Sequence, residues 1–278
     1  MVAPLIVRGA RQLLTLRESR GSGSGTSKDQ LGLIEDGCFL IADGHIAEVG
    51  VWRRISNLQA ARNARQLDAS GCLVLPGFID AEADLFAEPS SPPILRRRAR
   101  SLLAHGTTSV CSPSPTTSRQ LQIVSEEGLR VHPSVTGAIV LPCRDFFAQQ
   151  PSVWPEGAVI GSGFDGQSNS PCGMLAAIAF ACICSSVAIE QALQASTVRT
   201  AQRLGLEGSL GALVPGAQAD FLLLDIPDYR QIPYHLGENP VRAVFQCGQR
   251  IYQRGEPFWR GESSNASPTS VKAGIRKP

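Results

Sequence analysis

The sequence predicts an α/β protein: a barrel-like domain of alternating strands and helices, flanked by a small sheet domain drawn from both chain ends. Three observations predict it. Both ends read as short apolar strands separated by turn signals, the middle alternates strand and helix, and the 278 residues suit one large domain or two intimate ones. Apolar residues make up 43% and charged residues 18%, enough for a sizeable core.

The N-terminal part is β. Leu5 to Leu16 is apolar and strand-like, and Ser19 to Ser27 is a Gly/Ser-rich loop. Cys38-Phe39-Leu40-Ile41 and Ile46-Ala47-Glu48-Val49 flank Asp43-Gly44, a hairpin signal because a type I′ turn needs positive φ. Cys72 to Leu75 is a further strand. Phe78 to Ala81 opens the middle part, followed by a helix over Ile94 to His105, a strand over Thr107 to Cys111 and a helix over Thr117 to Glu127. Ala138 to Leu141 and Ala158 to Ile160 are two buried strands, so the βαβ rhythm implies parallel pairing with helices outside. Met174 to Cys184 is apolar all round, and Val187 to Leu204 reads as one helix capped near Ser185-Ser186. Strands return at Ala219 to Asp225 and in a hairpin, Val241–Gln246 and Arg250–Gln253, around Cys247-Gly248. The polar stretch 261–278 reads as a disordered tail.

Composition narrows the function classes. A formal net charge of +2 argues against nucleic-acid or membrane-surface partners. The run Arg96-Arg97-Arg98-Ala99-Arg100 reads as the solvated face of a helix. No targeting segment is evident, and the apolar Met174–Cys184 falls short of the roughly 20 residues of a membrane span, so a cytoplasmic protein is expected. The eight cysteines lack CxxC spacing and read as buried free thiols in a reducing compartment. The four histidines, His45, His105, His132 and His235, are dispersed, with His132 placed in a loop before a proline.

Three stretches carry a family resemblance. Pro76-Gly77-Phe78-Ile79-Asp80-Ala81 resembles the start of the first barrel strand in the amidohydrolase superfamily, and Gly211 to Phe221 resembles that superfamily's closing motif. Asp225 to Gly237, with Gln12 to Leu16 and Leu31 to Gly37, is similar to imidazolonepropionase. The resemblance implies a distorted (β/α)8 barrel plus a β-sandwich. It also implies hydrolysis of 4-imidazolone-5-propanoate in histidine breakdown, by a water activated on zinc or iron.

Against that pattern the chain departs at the site. The family's His-x-His pair is Glu82-Ala83-Asp84 here, and the final Asp ligand position holds Gly163. Carboxylates at i and i+2 share a strand face but suit harder ions than imidazole does. Asp80 shares that face, and Asp165 is the one further carboxylate that strand alternation could bring to it. The family's Arg and Tyr groups for substrate have no match. Pro76 to Leu206 is 131 residues, where a complete barrel takes about 250, so four or five strands are expected in place of eight.

The expected fold is therefore an incomplete amidohydrolase-type (β/α) barrel, residues 76–206, plus a small β-sandwich from residues 1–75 and 207–260. No bound metal or other cofactor is expected. Three functions stay open: a catalytically impaired imidazolonepropionase relative; an active C–N hydrolase using Glu82, Asp84 and Asp165 with Mg²⁺, Mn²⁺ or Ca²⁺; or a binding partner of a full-length paralogue. An incomplete barrel exposes strand edges, so a protein partner or a homo-oligomer is expected.

Overall fold

A computed structural model describes residues 3–17, 30–150, 153–165 and 173–256. The Gly/Ser loop, Ser170, Cys172 and the expected tail lie wholly or largely outside them.

Strands from both chain ends form one hydrogen-bonded sheet. They are β1 (Leu5–Leu14), β2 (Leu33–Ala42), β3 (His45–Val51), β4 (Arg65–Asp68) and β5 (Leu73–Pro76) from the first part. From the last part come β11 (Phe221–Leu224), β12 (Val241–Gln246) and β13 (Gln249–Gln253). Their order is β13-β12-β11-β5-β1-β2-β3, with β4 beside β1. Period-2 alternation gives the sheet two apolar faces. Val74, Phe221, Leu223 and Phe245 pack with Val7, Leu13 and Phe39 in one core, where Phe39 meets Phe221 edge-on at 5.1 Å. The sheet thus folds over itself as a small β-sandwich. Leu73, Leu75, Leu222 and Leu224 point the other way, onto a core shared with the helices of the middle domain. Asp43 (φ 47°) and Gly44 (φ 79°) make the hairpin turn that their sequence calls for.

The middle domain holds β6 (Phe78–Asp80), β7 (Thr107–Cys111), β8 (Arg130–His132), β9 (Ile139–Val140) and β10 (Val159–Ile160). β6-β7-β8 and β9-β10 are parallel sets. Backbone bonds join the sets along a seam: the Ala81 amide donates to the Ile160 carbonyl (3.0 Å), Gly163 to Glu82 (3.0 Å) and Asp84 to Phe164 (2.6 Å). The combined order is β8-β7-β6-β10-β9. In a closed eight-stranded barrel, where the last strand pairs with the first, that is strands 3-2-1-8-7. Strands 4 to 6 have no counterpart, and only residues 133–138 connect β8 to β9. The barrel is open, as its length predicts.

Six helices accompany these strands: α1 (Pro92–Ala104), α2 (Ser118–Glu126), α3 (Pro142–Phe147), α4 (Met174–Cys184), α5 (Ile189–Ala195) and α6 (Val198–Arg203). Thr117 caps α2 in a reciprocal capping box with Gln120. The single helix expected over Val187 to Leu204 is two. The chain breaks at Ser196–Thr197, where both hydroxyls turn back and donate to the Leu193 carbonyl (3.0 and 2.5 Å). His132 belongs to strand β8 and is not a loop residue. The arginine run is only partly solvated. Arg98 is 3% exposed, and Arg96 and Arg100 clasp Glu126 and Glu127 of α2.

Arg130 ties the two domains together. From β8 it donates to Asp220, to Gln218 Oε1 (2.5 Å) and to Cys247 Sγ (3.2 Å), all on the sandwich side. Asp220 is 5% exposed, so Arg130→Met strands a buried carboxylate. The expected loss is on the order of 3 kcal/mol in chemical denaturation. A loss below about 1 kcal/mol, the range of surface pairs, would contradict this role.

Candidate functional site

The seam delivers Asp80, Glu82 and Asp84 to the C-terminal end of the open barrel, where barrel enzymes place their reacting groups. Strand β10 approaches β6 closely because residue 161 is glycine. A Cβ there would lie 2.6 Å from Leu141 Cδ2 and 2.8 Å from the Glu82 amide. Asp80 is fully buried. Its Oδ1 accepts from the Ser162 amide (2.9 Å) and the Glu82 amide (3.2 Å), which pins the seam from within. Burial pushes the Asp80 carboxyl up to about 7, against the opposing pull of these hydrogen bonds.

Positive charge stands near Glu82 and Asp84. Arg144 of α3 stands 3.8 Å from Glu82. Arg98 of α1 donates to the Leu85 and Ala87 carbonyls (3.0 and 2.6 Å), immediately after Asp84, and burial lowers its affinity for its proton while Asp84, Glu88 and Asp165 raise it. Gly163 has φ 66° and offers no side-chain donor. That left-handed residue breaks the alternation that would aim Asp165 alongside Glu82 and Asp84, and Asp165 is exposed. Among the described residues, no three His, Cys, Asp or Glu side chains come together as a metal-holding group. The residues present do not fit a zinc or iron site: the donor set is carboxylate and glycine where imidazole and carboxylate are needed, and arginines stand beside it.

The histidines do not converge. His45 is exposed and bonds the Asp43 carbonyl (2.9 Å), His105 ends α1 and bonds the Ser101 carbonyl (2.8 Å), and His235 meets Glu238 (3.6 Å). His132 alone lies near the barrel mouth. Its pKa is lowered by burial and by Arg130, so it is held neutral.

Arg98 and Arg144 were not singled out as site residues from the sequence. The signal for Arg98 was present: it falls between Leu95 and Leu102 at helical spacing, on the buried stripe of α1.

Comparison with known proteins agrees with the geometry. The chain is 36% identical over 136 residues to imidazolonepropionase of Rubrobacter xylanophilus, covering 46% of this chain and 33% of that one. It is 30% identical over 142 residues to the imidazolonepropionase of Shewanella baltica strain OS185, covering 48% and 35%. Over about half its length the chain is similar to the imidazolonepropionases.

It spans about a third of the length of the curated relatives it matches. No protein-family model matches it. In structure it resembles guanine deaminase from Bradyrhizobium japonicum (TM-score 0.68, 12% identity, 91% of this chain and 100% of the other). It also resembles an enamidase described as a member of the amidohydrolase superfamily (TM-score 0.61, 15% identity, 91% and 97%). At such identities these likenesses show the fold: an amidohydrolase-type barrel, here open, with its small β-sandwich. Among the described residues no helix is long and apolar enough to cross a membrane.

The Asp80 carboxyl gives a pH test. Its folded value is about 7, above the roughly 3.9 of an unfolded aspartate, so the folded state holds the extra proton. Asp80 therefore costs stability as pH rises from about 4 to about 7, by an amount on the order of a few kcal/mol. Asp80→Asn is expected to flatten this part of the stability profile in denaturant titrations. Parallel profiles for the two proteins would show that the carboxyl is ionised throughout.

Proposed function

We propose that this chain is a non-catalytic relative of imidazolonepropionase, one that does not carry out metal-dependent hydrolysis of 4-imidazolone-5-propanoate or another cyclic amide. A single observation carries the reading. The positions that correspond to the family's ligands are Glu82, Asp84 and Gly163, and guanidinium groups, not imidazoles, stand around them.

The chemistry follows from what a metal supplies. A bound zinc ion brings the pKa of its water from about 15.7 to about 7, which makes hydroxide available at neutral pH. A guanidinium contributes positive charge and hydrogen bonds, but its nitrogen lone pair is delocalised and it offers no open coordination position for a water. Arg98 and Arg144 can thus balance Glu82 and Asp84 without activating a nucleophile. The reading of Glu82, Asp84 and Asp165 as a carboxylate metal site gains no support, since Gly163 turns the chain between them and Arg98 lies in their field.

The test is a turnover assay on purified protein with the imidazolone substrate, with zinc, ferrous iron, manganese or magnesium added in turn. The expected result is hydrolysis no faster than in buffer with the same metal. Turnover that disappears in Asp84→Asn would overturn the proposal.

A further inference from the structure

Arg98, Arg100 and Arg130 stand near the carboxylates of Asp84, Glu127 and Asp220. Arg199 and Arg203, one turn apart on α6, have no carboxylate partner among the described residues. Arg199 donates to the Ala158 carbonyl (3.1 Å), and Arg203 donates to the carbonyls of Thr136 and Ala138 (both 3.0 Å) and of Gly157 (2.6 Å). These carbonyls lead into β9 and β10, so both guanidiniums lie at the N-terminal foot of the open barrel, the end opposite its mouth. Burial pushes the Arg199 pKa below the usual guanidinium range, and the charge on Arg203 lowers it further. A half-buried cation whose neighbour is another cation lacks the counter-charge that buried charges ordinarily have.

Arg199 borders a cavity of about 330 Å³. The polar groups that line it are Arg17, Gln30, Gln194, Arg199 and Gln202, and the rest of the lining is apolar. Among the described residues no carboxylate lines it. Both domains build its walls. Arg17 lies just after β1 and Gln30 shortly before β2, whereas Gln194 belongs to α5 and Arg199 and Gln202 to α6. The Gln194 carboxamide donates to the Gln30 carbonyl (3.1 Å), which ties one wall to the other. Arg17 is exposed and forms no ion pair with a described residue. Two guanidiniums and three carboxamides thus converge on one space without a negative charge among them.

We infer that this cavity binds a small phosphate monoester between the guanidiniums of Arg17 and Arg199. The charge matches, since a phosphate monoester carries about −1.5 to −2 at neutral pH and faces two cations. The geometry of the groups matches too. A guanidinium fork donates paired N–H bonds to phosphate oxygens, and three terminal oxygens use more of these donors than the two of a carboxylate. The carboxamides of Gln30, Gln194 and Gln202 both donate and accept, which suits hydroxyl groups on the organic part of the ligand. Because the walls come from both domains, the bound ligand strengthens their docking and raises the stability of the folded chain. The inference is independent of what the barrel mouth does.

The experiment titrates the intact chain with glycerol 3-phosphate in a calorimeter, at an ionic strength held constant with sodium chloride. Saturable binding is expected, with a rise in unfolding temperature. Arg17→Gln and Arg199→Gln are each expected to weaken it about tenfold or more, as loss of a hydrogen bond to a charged group predicts. Arg53→Gln, at an exposed arginine outside the cavity, is expected to leave it unchanged. Thermal unfolding of each variant establishes that it is folded, and Arg17→Gln, a surface change, serves if Arg199→Gln is not. No saturable binding to the folded parent overturns the inference. Equal binding by the parent and the folded cavity variants overturns it too, by placing the phosphate elsewhere. Succinate bound as tightly as glycerol 3-phosphate overturns the assignment to a phosphate.

Discussion

The seam between β6 and β10 is the contact on which the rest of the middle domain depends. It joins residues about eighty positions apart in sequence, and it lets a barrel that lacks its middle strands keep its first and last ones adjacent. Asp80 secures it from inside by accepting two backbone N–H bonds, and Gly161 lets the strands approach. Everything at the mouth inherits its position from this join: Glu82 and Asp84 from β6, Arg144 from the helix after β9, and the Gly163 turn from β10. Asp80 is fully buried, so its hydrogen bonds are made in a dry place where they are strong and its charge is unfavourable.

Around that seam, positive charge comes from side chains. Arg98 is buried and bonded to two backbone carbonyls, which fixes its position just after Asp84. Arg144 reaches Glu82 from the solvent side and is largely exposed, a weaker pairing.

Much of the fold was legible in the sequence because its signals are local. Asp43-Gly44 forced its hairpin, Thr117 with Gln120 marked a helix start, and the Phe78-Ile79-Asp80 strand announced the barrel. The shortage of barrel strands was readable from length alone. The Val187–Leu204 helix misled because Ser196 and Thr197 bond back to Leu193, a competition that helical periodicity does not reveal. At the site, the sequence shows the identities of Glu82, Asp84 and Gly163 but not their surroundings. Asp165 could not be placed, because its direction depends on the left-handed turn at Gly163. Arg98 and His132 were hidden for a different reason: a charge run suggests solvent and a residue before proline suggests a loop, and here packing overrides both.

The account stands on the claim that this chain needs no metal at its barrel mouth. Elemental analysis of the purified, folded protein for zinc, iron, manganese and magnesium tests it most directly. The account predicts every metal well below one equivalent, in protein that unfolds at the same temperature with and without chelator. One equivalent of a metal, lost on Glu82→Gln with Asp84→Asn, would contradict it.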